Sequence, residues 1–345
     1  MSQLVEHLAE LTGYRDRDVL DVTLVGALIE LAQPRSAAVY RCVGEGNDSR
    51  WLTRAHQEAG QPVPRADPLW IDIAELPRMS DHPLRAACLR SGTVASATLP
   101  EGGVATVFPL ATDQDVVGVV ELCTDAALSA EQARLVAGIL RVYRNFQGLL
   151  DYSERDTLTG LLNRKTFDDG FLRSSAAVAR SQELAETGPE RRRVDAARVW
   201  VGVIDIDHFK SVNDTYGHLI GDEVLLLLSR LMRNCFRWHD QLFRFGGEEF
   251  VVLLRANQPD DAAGAFERLR TKVQDYAFPQ VGHITVSVGV TEVRPDDTPA
   301  AAFERADKAV YYAKQNGRNR VANYHDLVAQ GVFVEDRRES DVELF

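Results

Sequence analysis

Arg244-Phe-Gly-Gly-Glu-Glu-Phe250 decides how the second half of this chain folds. Two glycines stand between β-prone aromatic residues, and two carboxylates follow directly. A Gly-Gly pair between strand-like runs predicts a tight hairpin turn, because glycine enters positive φ without steric cost. Lacking side chains, Gly246 and Gly247 also leave room for a bulky ligand against the backbone. With a period of two along the outgoing strand Phe250–Leu254, Glu248 and Glu249 are expected on opposite faces. One of them then reaches the space that the glycines clear.

A second acidic site lies upstream. Val199-Trp-Val-Gly-Val-Ile-Asp-Ile-Asp207 is apolar on both faces before its acidic end, which predicts the central strand of a covered sheet. Asp205 and Asp207 share one face. A carboxylate at a strand end opposite carboxylates beside a glycine hairpin predicts a Mg²⁺ site, since magnesium takes hard oxygen ligands and completes its shell with water and phosphate. No G-x-x-x-x-G-K-[ST] loop occurs, so phosphate is not held by a P-loop.

Composition narrows the classes. The chain has 345 residues, 45% hydrophobic and 26% charged, enough for two globular domains. With 39 basic against 51 acidic residues its formal charge is −12, which argues against general nucleic-acid binding. A polyanionic substrate must therefore be held by local cations and metal. Cys42, Cys88, Cys123 and Cys235 form no C-x-x-C pair, which fits a reducing compartment. The N-terminus carries no signal-peptide pattern and no apolar run approaches membrane-spanning length, so a cytoplasmic protein that does not enter the membrane is expected.

Residues 1–33 show helical spacing and Ser36–Val43 reads as a strand. Val104–Leu110 and Val116–Cys123 read as paired strands around Thr112–Asp115, while 45–103 reads as a Pro- and Gly-rich stretch able to hold a pocket. Ser129-Ala-Glu-Gln132 is a capping-box start. The helix after it repeats Leu128, Leu135, Val142 and Leu149 every seven residues, with Ile139 and Phe146 between. That pattern suits an amphipathic helix packed on its own domain or a coiled coil between two subunits; the latter is preferred because the helix joins two domains. Residues 174–198 read as a lengthened helix and a surface loop. Beyond them, helices are expected at Gly221–Trp238, Ala262–Tyr276 and Thr298–Gln315, with strands at Val251–Leu254 and His283–Val293. Such alternation gives an α/β sheet domain.

Three smaller patterns have ordinary readings beside functional ones. Asp222 after Gly221 suits a helix N-terminus. Lys314 and Arg318, four apart near a helix end, share a face and complement the helix dipole or hold an anion. Arg237-Trp-His-Asp240 is by itself a common surface ion pair.

The hairpin, Asp205-Ile-Asp-His-Phe-Lys210, and Asn213-Asp-Thr-Tyr-Gly-His-Leu-Ile-Gly-Asp222 together resemble a GGDEF-type diguanylate cyclase. So do Asp156-Thr-Leu-Thr-Gly-Leu-Leu-Asn-Arg164, Ser287-Val-Gly-Val290 and the run Ala306–Arg320, all in the family's order. The resemblance implies a ferredoxin-like palm over 156–324 that condenses two GTP into cyclic di-GMP and two pyrophosphates. It implies Mg²⁺ or Mn²⁺ held by Asp205, the Ile206 carbonyl, Glu248 and Glu249, with Asp205, Glu248 and Glu249 catalytic. Asn213 and Asp222 would read guanine, Lys210, Lys314 and Arg318 the triphosphate, and Phe209, Gly246 and Gly247 would complete the substrate site. Arg237 and Asp240 match the family's inhibitory product site for cyclic di-GMP. A homodimer through the 128–155 helix follows, because one subunit holds one GTP. Residues 1–127 resemble a GAF-type sensory domain of unknown ligand, and 325–345 a loosely held tail. The rival reading is a catalytically silent cyclic di-GMP receptor.

Overall fold

The computed structural model describes residues 2–13, 16–44, 46–68, 71–111, 116–187 and 198–334. The chain divides into two compact units, Met1–Ser153 and Glu154–Phe345.

The first unit runs α1 (Ser2–Gly13), α2 (Arg17–Ala32), β1 (Ser36–Val43), β2 (Arg50–Glu58), α3 (Pro83–Ser91), β3 (Ala95–Thr98), β4 (Val104–Ala111), β5 (Val116–Thr124) and α4 (Ala130–Glu154). Its antiparallel sheet has the order β2-β1-β5-β4-β3. The predicted β4–β5 pair is present, and the Thr112–Asp115 turn lies outside the described residues. Stretch 45–103 is more regular than its composition suggests, holding β2, α3 and β3. Polar residues on β2 (Arg50, Thr53, Arg54, His56, Gln57) mask its alternation, yet Trp51, Leu52 and Ala55 are buried. On one face of the sheet, Leu20, Leu24 and Leu28 of α2 pack with Val39, Val120 and Leu122. On the other, Tyr40, Trp51, Val107 and Val119 pack with Cys88 of α3.

Helix α4 starts at the predicted capping box: Gln132 N–H donates to Ser129 Oγ (3.2 Å) and Ser129 N–H to Gln132 Oε1 (3.0 Å). Val136, Ile139, Leu140, Tyr143 and Leu150 bury one face of α4 in the first unit's own core, with Gln147 also buried. Ile139 is thus committed to that core rather than free for a seam. Of the other heptad residues, Leu128, Leu135 and Phe146 also pack against that core, Val142 is half-buried and Leu149 is 65% exposed.

The second unit runs β6 (Leu162–Asn163), α5 (Arg164–Thr187), β7 (Arg198–Ile206), α6 (Phe209–Tyr216), α7 (His218–Arg233), β8 (Gln241–Gly246), β9 (Glu249–Ala256), α8 (Pro259–Asp275), β10 (Val286–Glu292), α9 (Pro299–Gln315), β11 (Val321–Asn323) and α10 (Tyr324–Ala329). Its sheet order is β11-β10-β7-β9-β8-β6. The predicted central strand is β7, buried along its length after Arg198 and flanked antiparallel by β9 and β10. Within the sheet, β7, β8, β9 and β10 with α6–α7 and α8 form the β-α-β-β-α-β palm of ferredoxin-like folds. Two expectations are corrected. Helix α7 starts at His218 and ends at Arg233, so Asp222 lies inside the helix and does not cap it. The start of the expected tail is ordered, because Tyr324 and Leu327 of α10 bury against Ala309 and Ala313. Helix α5 is lengthened as expected, while 188–197 and 335–345 lie outside the described residues.

Candidate active site

The glycine hairpin differs in one detail from its sequence reading. Gly246 pairs with Glu249, and a register shift between Arg244 and Gly246 sets Phe245 as a bulge. The two connecting residues are therefore Gly247 and Glu248, not the glycine pair. Glu248 sits on the turn itself, so the opposite-faces argument drawn from the outgoing strand does not apply to it. Gly246 and Gly247 both have positive φ (145° and 52°), and a Cβ on either would meet open space. Glycine is needed here for conformation, and the space over the turn is free.

Arg244 fastens this turn. Its Nε and Nη2 donate to the Gly247 carbonyl (3.2 and 2.9 Å), while Nη1 donates to both carboxylate oxygens of Asp156 (3.0 and 3.2 Å). Burial acts to raise the Asp156 pKa, but hydrogen bonds from Thr159 and Arg244 outweigh it and hold the carboxyl below its usual range. Asp156, two residues after α4, is thereby joined to the turn that carries Glu248.

Antiparallel pairing of β7 and β9 sets Asp205 directly opposite Glu249. Asp205 is 5% exposed and pairs with Lys314 of α9 (Nζ to Oδ2, 2.7 Å). Its pKa is nevertheless raised: desolvation, with Asp207 and Asp307 adding repulsion, outweighs the ion pair. Glu248 is raised by burial and by Asp205, and Glu249 by burial, Asp205 and Asp307; Lys314 opposes both shifts. The acids thus repel one another, countered by Lys314 and, at Glu249, also by Arg164.

That imbalance is what a divalent cation would relieve. Among the described residues no three acidic, histidine or cysteine side chains converge into a ready-made metal centre. Magnesium does not require one, since one or two carboxylates plus substrate phosphates suffice. Asp205 and Glu248 can supply those carboxylates. Ile206 is fully buried, so only its carbonyl could take part. Asp307 was missed in the sequence; it lies seven residues before Lys314 on α9, nearly two turns away on the same side.

β7 ends at Ile206, so the strand-period argument does not reach Asp207, and the two aspartates differ in surroundings. Asp207 is 4% exposed and accepts from Thr285 Oγ1 (2.6 Å), Ser287 Oγ (2.7 Å) and the Asn319 N–H (3.0 Å). It is occupied by the protein's own donors.

Of the residues expected to read guanine, Asn213 of α6 packs against α7 at Gly221, next to Asp222 in sequence. Gly221 makes this possible: a Cβ there would lie 2.0 Å from Asn213 Oδ1 and 3.3 Å from the Phe209 ring. Asn213 therefore rests on the bare surface of α7; Asp222 is exposed, as is Leu219 (82%). Phe209 corrects its expected role. Its ring is buried in the core, so only its backbone could face a substrate. Lys210 is exposed on the first turn of α6.

The shared-face argument for Lys314 and Arg318 also fails. Helix α9 ends at Gln315, Asn316 caps it, and Arg318 has left-handed φ (59°) past the helix end. Arg318 is exposed and its N–H donates to the Ala313 carbonyl (2.9 Å).

Arg237 and Asp240 form a closed loop rather than a side-chain ion pair. The Arg237 N–H donates to Asp240 Oδ2 (2.8 Å) and the Asp240 N–H to the Arg237 carbonyl (3.0 Å). Burial pushes the Asp240 pKa up to about 6 against the pull of Arg237, Arg255 and Arg268. Its Oδ1 is buried without a hydrogen-bond partner. The Arg237 side chain remains exposed.

No described helix is long and apolar enough to cross a membrane.

Comparison with known proteins gives a family match over the second half of the chain. The family described as "Diguanylate cyclase, GGDEF domain" matches residues 153–320. Diguanylate cyclase DgcP of Pseudomonas aeruginosa is 40% identical over 169 residues, 48% of this chain and 23% of that protein. Diguanylate cyclase DgcZ of Escherichia coli is 36% identical over 171 residues, 49% of this chain and 52% of that protein. The chain thus spans about half, or less, of the length of these curated relatives. The crystallised GGDEF domain of DgcB from Caulobacter crescentus, in complex with c-di-GMP, is 34% identical and covers 50% of this chain and 96% of that one, with a TM-score of 0.43.

Proposed function

Because residues 153–320 are a GGDEF domain, we propose that the chain is a diguanylate cyclase that joins two GTP molecules into cyclic di-GMP and releases two pyrophosphates. The observation that carries this reading is the register of Asp205 against Glu249, with Glu248 on the adjoining turn and Lys314 as their shared counter-charge.

Asp205, the Ile206 carbonyl and Glu248, with Glu249 assisting, would hold Mg²⁺ or Mn²⁺. When bound, the ion stabilises charge on the attacking and leaving oxygens of the phosphoryl transfer. Asp222 accepts from the guanine N–H groups and Asn213 satisfies the remaining ring edge, a donor pattern that adenine does not match. Lys210, Lys314 and Arg318 neutralise the triphosphate, and Lys314 must leave Asp205 to do so. Glu248, raised by burial and by Asp205, is suited to take the proton of the attacking 3′-hydroxyl on its carboxylate. Gly246 and Gly247 keep the approach to it open.

Each subunit presents one such site, so the reaction needs two subunits face to face, and the exposed flank of α4 with Leu149 is our candidate seam. The first unit is read as a GAF-type sensory module in a cytoplasmic enzyme. Arg237 and Asp240 are read as a product site, supported by the buried Asp240 Oδ1, which makes no hydrogen bond and has His239 Nε2 3.8 Å away. Incubation with GTP and Mg²⁺ followed by nucleotide separation tests the reading. Cyclic di-GMP supports it, and binding of cyclic di-GMP without turnover would make the chain a receptor instead.

A further inference from the structure

Asp207 stands two residues from the proposed metal ligand, just past the end of β7, and its surroundings are those of a structural hub. A carboxylate offers about four lone-pair directions, and Asp207 fills three of them with Thr285 Oγ1, Ser287 Oγ and the Asn319 N–H. Its own N–H donates to the Thr285 carbonyl (2.9 Å). One side chain therefore joins the end of β7, the approach to β10 and the turn that follows α9.

That turn is unusual. Arg318 and Asn319 both have left-handed φ (59° and 45°), ordinary for asparagine but uncommon for arginine. Asn319 is held from two sides. Its N–H is fixed by Asp207, while its side chain accepts from Arg270 Nη1 (2.9 Å) and donates to Gln274 Oε1 (2.7 Å) of α8. Arg270 Nη1 also donates to Gln274 Oε1 (2.7 Å). Next along the turn, the Arg320 carbonyl accepts from the Val288 N–H of β10 (2.9 Å). Between the helix end and this anchor the turn exposes Asn316, Gly317 and Arg318, of which Arg318 is the cation.

We infer that Asp207 is a positioning residue: through the Asn319 N–H it fixes the Gly317–Arg320 turn, and so presents Arg318 to the polyphosphate of the nucleotide, while Asp205 alone of the pair serves the metal. This role rests on the proposed cyclase reading. The charge-assisted bond to the Asn319 N–H carries it, because an amide in place of the carboxylate brings no charge to that bond and has one oxygen for three donors.

The test is a double-mutant cycle of Asp207→Asn and Arg318→Ala, read as affinity for a non-hydrolysable GTP analogue with Mg²⁺ and as KM and kcat for GTP. Each single variant is expected to weaken nucleotide binding on the order of tenfold, with KM rising more than kcat falls. The double variant is expected to be no weaker than Arg318→Ala alone. Mn²⁺ binding without nucleotide should survive Asp207→Asn and be lost in Asp205→Asn. Hydrogen exchange at the 317–320 amides should accelerate at least tenfold in Asp207→Asn. Thr285→Val, which removes one donor to Asp207, gives a milder version of each effect should Asp207→Asn fold poorly. Additive losses, loss of Mn²⁺ affinity in Asp207→Asn, or unchanged exchange at 317–320 would each overturn the role. Failure of the wild-type protein to bind the GTP analogue would sink the cyclase reading and this role together. Intact wild-type binding with an additive cycle would sink this role alone.

Discussion

The Lys314 ammonium lies 2.7 Å from Asp205 Oδ2, which sets a cation expected for the triphosphate on an acid expected for the metal. The two assignments agree if Lys314 is the resting counter-ion and moves to phosphate when nucleotide and metal arrive together. Replacing it by an uncharged residue of similar length, Lys314→Met, should tighten Mn²⁺ binding in the absence of nucleotide and lower turnover of GTP. Titration of Mn²⁺ by electron paramagnetic resonance beside a turnover assay separates the effects. If metal affinity falls together with activity, Lys314 is not a competitor for Asp205.

The raised acids predict how metal binding responds to pH. Burial, assisted by mutual repulsion, raises Asp205, Glu248 and Glu249, so folding favours their protonated forms. Their contribution to stability is complete below the ordinary carboxylate pKa and is lost as pH rises through the raised folded values. A divalent ion binds only the ionised forms and restores stability by mass action. The gain in Tm from saturating Mg²⁺ should therefore be larger at pH 7.5 than at pH 5, and should shrink in Asp205→Asn. Equal gains at both pH values would contradict the site.

Much of this arrangement was legible beforehand. The hairpin, the buried β7 with its acidic end and the six family blocks place the palm and most of its polar residues, because strand periodicity and glycine turns are local properties. What escaped the sequence depends on geometry between distant segments. A bulge at Phe245 moves the turn onto Gly247 and Glu248. The end of α9 at Gln315 takes Arg318 off the face of Lys314. Phe209 turns into the core, and Asp207 is claimed by hydroxyls more than seventy residues away. Composition also hid β2 and α3, whose polar residues mask the buried ones, and β3, which is short and has no buried residue.

Gly221 separates fold from recognition. Alanine is about 1 kcal/mol better than glycine inside a helix, so Gly221→Ala should leave α7 intact or firmer. Its Cβ would, however, fall 2.0 Å from Asn213 Oδ1 and displace that side chain. The expected outcome is an unchanged or higher Tm with GTP affinity reduced roughly tenfold or more, the scale of a lost or misdirected polar contact. Calorimetry and a binding titration on one variant measure both. Unchanged affinity would remove Asn213 from the guanine site.

Arg244 joins Asp156 to the Gly247 carbonyl, so Arg244→Ala should loosen the turn. Hydrogen bonds to charged partners contribute about 1.5–3 kcal/mol each when sheltered, and this half-buried set should lie near the lower end. Faster hydrogen exchange across 246–249 and a fall in kcat with little change in GTP affinity are expected. A variant with normal exchange would show that the turn holds itself.

Asp240 supplies a pH signature far from the metal. Its folded pKa is pushed up to about 6 from 3.8 by burial, so its stabilising contribution is present below pH 3.8 and is lost between there and about 6. Asp240→Asn removes that titration and should flatten the stability profile over this window by on the order of 3 kcal/mol at most. Denaturant melts at pH 4, 5, 6 and 7 measure the slope. A parallel profile in the variant would mean that Asp240 ionises normally.

The cyclase assignment is tested most directly by separating the nucleotides formed from GTP and Mg²⁺ by the wild-type protein and by Glu248→Gln. The expected result is cyclic di-GMP and pyrophosphate in a one-to-two ratio from the wild type, and neither from the variant, which still binds GTP. No dinucleotide from a wild-type protein that binds GTP, or undiminished product from Glu248→Gln, would contradict the account.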